Sequence, residues 1–390
     1  MYFASGTKIE CCGCTACKNI CPVSAIVMQE DNEGFQYPII NKDLCVNCKL
    51  CEKVCPLGRN AEKIKEEKRY DVFAAILKDE TQRRKSSSGG AFYAIANTVI
   101  KKDGVVFGAS FDEKLVLKHI GVATINDLES LRGSKYLQSC KGSIYKEVRT
   151  QLNSGRLCYF VGTGCEVAGL KSFLMKDYPN LLTSDIVCHG VPSQKLFDNH
   201  ISFMEQKYHD KVVGYQFRNL DSWGGCETVH FANRKSVINP TYMLSPYLYS
   251  FMYAMTYRPS CYYCKFAKIP RTGDITLADF WGVEHCGIPI DTSKGVSLVI
   301  VNNQKGKEIW KEVNADFEWF ASDIEHASAF NGNVIRPSER PDIRETIYKI
   351  IEEEGYEYAV RKYFRHPQHY YLKIRSFLSP LKRKLKDILS

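Results

Sequence analysis

From residue 72 onward, short apolar runs alternate with stretches of helical spacing. The run 72–77 (VFAAIL) predicts a strand, 89–102 (GGAFYAIANTVIKK) a helix and 104–111 (GVVFGASF) a second strand. LCYFV at 157–161 predicts a strand leading into a helix that begins near Cys165, and LLTSDIV at 181–187 a strand leading into a helix capped by Ser193. This alternation argues for an α/β domain with a largely parallel sheet. The charged run AEKIKEEKRY, residues 61–70, reads as a linker ahead of it. At the far end Ile374, Phe377, Leu378, Leu381, Leu385, Ile388 and Leu389 recur at helical spacing, and Ser379-Pro380 reads as an N-cap followed by an N1 proline that starts a new short helix.

The chain has 390 residues, 44% hydrophobic and 25% charged, enough to bury a sizeable core in two or three domains. No stretch approaches the ~18 uninterrupted apolar residues of a membrane span. The first ten residues, MYFASGTKIE, lack the apolar core of a signal peptide. A cytoplasmic setting is therefore expected. Charge changes the picture at one place: residues 361–390 carry nine Lys/Arg against one acid, +8 out of a total of +9. A basic amphipathic helix there predicts contact with an anionic membrane, peripherally at the inner surface, or with an acidic partner. The competing reading is a helix packed on the protein's own surface with solvated lysines. Nucleic acid is not expected as a partner.

Seventeen cysteines in a compartment that keeps thiols reduced point to metal or redox chemistry rather than disulfides. Nine lie within residues 11–55. Cys11-x2-Cys14-x2-Cys17-x3-Cys21-Pro22 is repeated 34 residues later as Cys45-x2-Cys48-x2-Cys51-x3-Cys55-Pro56. Three cysteines in a tight loop reach three corners of one cubane, and the fourth, at a helix start, reaches the other. This assigns Cys11, Cys14, Cys17 and Cys55 to one [4Fe–4S] cluster, and Cys45, Cys48, Cys51 and Cys21 to a second. A pair of zinc knuckles does not call for this doubled four-cysteine run. Cys12 falls outside the spacing and reads as a bystander.

Three turns precede predicted helices: Ser86-Ser87-Ser88-Gly89-Gly90, Gly162-Thr163-Gly164-Cys165 and Cys188-His189-Gly190-Val191-Pro192-Ser193. The last two follow strands directly, where open α/β sheets bind ligands. Gly-rich turns at helix N-termini expose N–H groups that suit a phosphate, although such turns without a ligand are commoner. Cys261-x2-Cys264 follows a Tyr-rich segment. With Cys165 and Cys188 the pair makes four thiolates, the count for a third cubane or a structural zinc. Alternatively Cys165 and Cys188 are small core residues, and the tyrosines are helix core.

The segments SSSGGAF, RGSKYLQS (132–139), GTGCEVAGLK (162–171), DIVCHGVPS (185–193) and RPSCYYCKFAKIPRTGDITLADFWG (258–282) resemble the β-subunit family of coenzyme F420 hydrogenases and dehydrogenases. The resemblance spans residues 1 to about 330. It implies an FAD-binding α/β domain that passes a hydride between coenzyme F420 and FAD, and an iron–sulfur relay to a redox partner protein. Members with a fused ferredoxin resemble the electron-input subunit of a respiratory complex. The resemblance also implies that Gly133, Ser134, Lys135 and Tyr136 line the flavin, with Lys135 stabilising the reduced ring or a phosphate. Ser88, Gly89, Gly90, Gly162, Thr163, Gly164, His189 and Gly190 join them as candidate cofactor contacts, His189 as a proton carrier or merely a hydrogen-bonded residue. Gly164 stands where many relatives have proline, which predicts a looser turn.

The expected organisation is an α+β ferredoxin-type module at 1–60, a linker at 61–70, a flavin-binding α/β domain at 71–330 and a basic helical extension at 331–390. Two function classes remain open at this level. One is an FAD enzyme acting on a small hydride carrier, F420-like or other. The other is a non-enzymatic ferredoxin-like subunit that wires a larger redox complex. Bound FAD, and its reduction by a hydride donor, separates them.

Overall fold

A computed structural model describes residues 2–58, 70–218, 223–224, 227–293 and 295–376. Most of the linker at 61–70 and the helix expected from Ser379-Pro380 lie outside the described residues.

The N-terminal module is an antiparallel hairpin, β1 (Ile26–Glu30) and β2 (Gln36–Ile40), with two short helices, α1 (Ala16–Ile20) and α2 (Leu50–Lys53). The cysteine repeat is also a backbone repeat. Gly13 and Thr15 ahead of α1 take positive φ (68° and 66°), and so do Asn47 and Lys49 ahead of α2 (54° and 61°), 34 residues on. Such positive-φ residues curl both cysteine loops in the same way.

The second part is built on an eight-stranded sheet, in the spatial order β13-β3-β12-β11-β7-β6-β4-β5. Its strands are β3 (Asp71–Leu77), β4 (Val105–Phe111), β5 (Leu117–Val122), β6 (Cys158–Thr163), β7 (Leu181–Ile186), β11 (Ile275–Asp279), β12 (Ser297–Val301) and β13 (Phe317–Ser322). Every strand read from the sequence is present. The sheet is mixed, however, rather than parallel throughout. β4, β6, β7 and β11 form a parallel centre, while β5 on one side and β12, β3 and β13 on the other join through antiparallel ladders. Apolar runs such as β3 and β12 report burial on both faces, and burial is indifferent to strand direction. Between β7 and β11 the chain inserts a helix, a three-stranded antiparallel sheet, β8 (Val212–Gln216), β9 (Glu227–Phe231) and β10 (Val237–Asn239), and a further helix.

Helices cover both faces of the large sheet: α3 (Ala91–Lys101), α4 (Ile144–Asn153) and α5 (Gly164–Leu174), followed by α6 (Gln194–Tyr208) and α7 (Pro246–Met252) of the insertion, and α8 (Gln304–Val313). α3 buries Ala91, Ala94, Ile95, Ala96 and Val99, small enough for close approach to the sheet. Ile95 and Val99 are fully buried, each contributing roughly 1.5–3 kcal/mol relative to exposure. The core on the α4/α5 face is shared with the ferredoxin module: Cys14, Ala16, Ile20 and Val54 pack with Tyr145, Leu170 and Phe173. Gly169 makes this possible, since a Cβ there would lie 2.8 Å from the Cβ of Cys14. The helical extension, α9 (Ile347–Glu354) and α10 (Tyr356–Lys362), packs against α6 through Ile347, Tyr356, Ala359, Val360 and Phe364.

Candidate functional site

Three cavities lie in a row, from the carboxyl ends of the parallel strands to the ferredoxin loops. The first, about 340 Å³, opens over the ends of β6, β7 and β11. The predicted residues Ser88, Gly90, Gly133, Ser134, Lys135, Tyr136, Gly162, Thr163, His189 and Gly190 all line it. Two do not. Gly89 packs against β3, where a Cβ would stand 2.1 Å from the Ala75 carbonyl oxygen. Gly164 faces the neighbouring cavity.

One end of this pocket is a polar cradle. The Ser134 N–H donates to Ser87 Oγ at 2.9 Å, joining the loop at 86–90 to the loop at 132–136. Arg132, the first residue of the 132–139 segment, braces both: its guanidinium donates to Gln82 Oε1 (2.7 Å), Glu129 Oε1 (3.0 Å) and Ser86 Oγ (3.0 Å). Its buried Nε has no partner among the described residues. That free donor and the N-terminus of α3 suit an anionic diphosphate. Lys135, on the same wall, is held by its own turn. Its ammonium donates to the carbonyls of Ser130, Leu131, Arg132 and Gly133 at 2.8–3.3 Å, closing the turn that precedes it. Burial pushes its pKa down to about 7.

The other end is aromatic. Tyr136 and Phe251 meet at 4.6 Å between centroids, and His189 lies nearly parallel to Phe251 at 6.2 Å. Such walls suit a flat ring system. Beyond them Arg218 pairs with Asp279 (2.6 Å), Trp223 donates to Asp279 Oδ1 (2.7 Å) and Trp223 stacks on Trp281 at 4.6 Å. Arg218, Asp279 and Trp281 also line the pocket. Of the tyrosines ahead of the Cys261–Cys264 pair, Tyr247, Tyr249 and Tyr257 are buried, while Tyr253 is exposed.

Beneath the pocket lies a charged cluster. Lys141 Nζ donates to Glu166 Oε1 (2.7 Å), Ser139 Oγ donates to the same oxygen (3.1 Å), and His119 Nδ1 meets Ser139 Oγ (2.7 Å). Burial opposes the Glu166 carboxylate, yet Lys141 and His119 bring its pKa down to about 2. Glu166 also accepts the Thr163 N–H at 2.8 Å. The turn expected to be loose at Gly164 is thus held by a capping box, and a Cβ at Gly164 would sit 2.9 Å from Phe266 Cβ.

The second cavity, about 220 Å³, shares Thr163, Cys188, His189, Gly190 and Val191 with the first. Cys165, Cys188, Cys261 and Cys264 all line it, with Cys12 of the ferredoxin module. The structure therefore brings the four separate cysteines to one space. Burial, followed by the neighbouring Cys264 and Cys165, pushes the Cys261 thiol up to about 12. Burial and the surrounding cysteines push Cys188 up as well. Thiols crowded in this way stay protonated until a cation arrives. Among the described residues no three His, Cys, Asp or Glu side chains converge closely enough to hold a single metal ion.

The third cavity, about 30 Å³, is lined by Cys11, Cys14, Cys17 and Cys55, and again by Cys12. Three cysteines of the first run and the last of the second meet there, the combination expected from the crossed spacing. Cys12 is a wall of both thiol-lined cavities rather than a bystander. Of the other set, Cys45 and Cys48 are exposed, and Cys21 and Cys51 half-buried.

Residues 10–59 match the 4Fe-4S dicluster domain, and residues 155–326 match the C-terminal family of the coenzyme F420 hydrogenase/dehydrogenase beta subunit. The two matches place a 4Fe-4S dicluster region ahead of a region similar to the C terminus of this beta-subunit family. The family match contains Cys165, Cys188, Cys261, Cys264, Arg218 and Asp279; the loops at 86–90 and 132–136 precede it. Among solved structures, a chain from the F420-reducing [NiFe] hydrogenase complex of Methanosarcina barkeri, studied by xenon derivatization, is 19% identical, with 78% of this chain and 99% of that chain covered at a TM-score of 0.47. No curated protein matches the chain.

Proposed function

We propose that this beta-subunit relative is an iron–sulfur flavoprotein oxidoreductase that exchanges electrons between a hydride carrier and a redox partner protein. The observation that carries this reading is the row of three cavities with shared walls: a cradle with an aromatic end, a four-thiol space and the Cys11/Cys14/Cys17/Cys55 space. FAD would lie in the first, its diphosphate on the loops at 86–90 and 132–136 and its ring near Tyr136, His189 and Phe251. Cys165, Cys188, Cys261 and Cys264 would hold a third cluster beside the two of the ferredoxin module. A bound flavin supplies the conversion between two-electron hydride chemistry and one-electron transfer.

The chain's own residues divide the work. Arg132 and Ser134 fix the cradle. Phe251 and Tyr136 keep water from the ring side of the pocket. Arg218, locked by Asp279, leaves a fixed ion pair in the pocket wall. The Glu166–Lys141 pair holds the Thr163–Cys165 turn that separates pocket from thiols. Cys45 and Cys48, both exposed, leave the second ferredoxin cluster nearest to a partner. The basic tail would bring the protein to an anionic cytoplasmic membrane surface.

The test is anaerobic purification, extraction of flavin, and mixing with reduced coenzyme F420 or NAD(P)H. FAD at about one per chain, bleached by one of these donors, is the expected outcome. Full iron content without any flavin would instead assign the chain to non-enzymatic electron transfer.

A further inference from the structure

We infer that Arg258 sets the reduction potential of the cluster held by Cys11, from within the rivet that joins the ferredoxin module to the α/β domain. The inference rests on the reading that Cys11 ligates iron. Arg258 is completely buried. Its Nε donates to the Cys11 carbonyl (2.8 Å), Nη1 to Gln138 Oε1 (3.0 Å), and Nη2 to the Gln36 carbonyl (2.9 Å) and to Cys11 Sγ (3.5 Å). The guanidinium carbon lies 4.2 Å from the centre of the Tyr37 ring. Gln138 also donates to the Cys12 carbonyl at 3.0 Å, so one arginine and one glutamine hold the start of the first cysteine loop. Gly13 admits them: it takes a positive φ, and a Cβ there would lie 2.9 Å from Arg258 Nη1.

These partners are carbonyls, an amide oxygen, an aromatic face and a sulfur; none is a carboxylate. A buried cation without an anion is costly, so the geometry points to anionic sulfur at Cys11 as the compensating charge. Each electron added to a thiolate-bound cluster increases its negative charge. A fixed neighbouring cation and an N–H···S bond stabilise the reduced form and raise the potential. Arg258 therefore favours the Cys11 cluster as an electron acceptor within the chain.

The experiment is an EPR-monitored redox titration of the anaerobically loaded full chain, with Cys14→Ser identifying the signal of this cluster. Arg258→Gln should lower the midpoint of that signal alone, reducing its reduced-to-oxidised ratio about tenfold at a fixed ambient potential, a shift of about 59 mV for one electron. Gln138→Leu, which frees the guanidinium without removing it, should move the same signal downward by less. If Arg258→Gln loses iron, Gln138→Leu decides. Unmoved midpoints in a fully iron-loaded Arg258→Gln or Gln138→Leu protein would overturn the inference. A wild-type chain that takes up no iron in this module would overturn the underlying ligand assignment instead.

Discussion

Glu227 shows what a single residue can do that no motif announces. It is fully buried, and its Oε1 accepts from Ser245 Oγ (2.6 Å) and Tyr215 OH and faces His200 Nε2 (3.3 Å), while Oε2 accepts from Asn239 (2.5 Å). Tyr356 of the C-terminal extension closes the network on His200 Nδ1 at 3.2 Å. Burial opposes the charge, but His200, Ser245 and Tyr215 hold the pKa of Glu227 below the usual 4.5. A depressed carboxylate pKa contributes stability that is complete above the ordinary value and is lost as pH falls through the folded one. Glu227→Gln, which sets an amide against these donors, should cost roughly 3 kcal/mol near neutral pH. The gap to wild type, followed by thermal melts, should narrow below about pH 4.5. A gap that stays constant into the acid range would refute this role. Nothing in the sequence marks Glu227, because its partners His200, Tyr215, Asn239 and Ser245 come from four separate segments. Arg132 and Arg258 each open a segment singled out in the sequence, but their partners lie outside those segments, and the carbonyl acceptors of Lys135 belong to its own turn.

At the scale of elements, legibility follows sequence distance. The doubled cysteine run is local, so spacing alone discloses it, and Cys11, Cys14, Cys17 and Cys55 line one cavity. The strand-to-helix turns are equally visible, since an apolar run and the capping residue after it are neighbours in the chain. Strand direction is not visible: β3 and β12 are the same kind of buried run as β6 and β7, yet join through antiparallel ladders. The meeting of Cys165 on α5, Cys188 after β7 and the Cys261–Cys264 pair needs the parallel centre of the sheet to align two strand ends. That alignment carries a prediction. Iron in the anaerobically reconstituted chain should approach about twelve per molecule, and Cys165→Ala should remove about four. An iron content near eight in wild type, unaltered by Cys165→Ala, would leave the second cavity without a cluster. Cys165 is the informative choice, since its loss leaves the two ferredoxin runs intact.

On the scale of the whole molecule, the two modules behave as one body. They share the Cys14–Phe173 core, and Arg344 of the C-terminal extension bonds Glu33 of the ferredoxin module at 2.9 and 2.5 Å. The extension is thus structural as far as Phe364, which is buried against α6. Beyond it the character changes: Tyr370, Tyr371 and Ile374 are 69%, 60% and 61% exposed. Residues 369–390 hold six Lys/Arg (Lys373, Arg375, Lys382, Arg383, Lys384, Lys386) and one acid, Asp387, a net charge of +5. No helix among the described residues is long and apolar enough to cross a membrane. Exposed tyrosines beside basic residues suit the headgroup region, where each cation contributes ~1 kcal/mol near an anionic leaflet. A chain ending at Gln368 keeps Phe364 and should fold with unchanged iron content. The full chain should co-sediment with vesicles containing phosphatidylserine at low salt and be released at high salt, because the attraction is screened within a Debye length. The shortened chain should stay in the supernatant under both conditions. Equal, salt-independent pelleting of both chains would show that residues 369–390 are not what holds the protein at the surface.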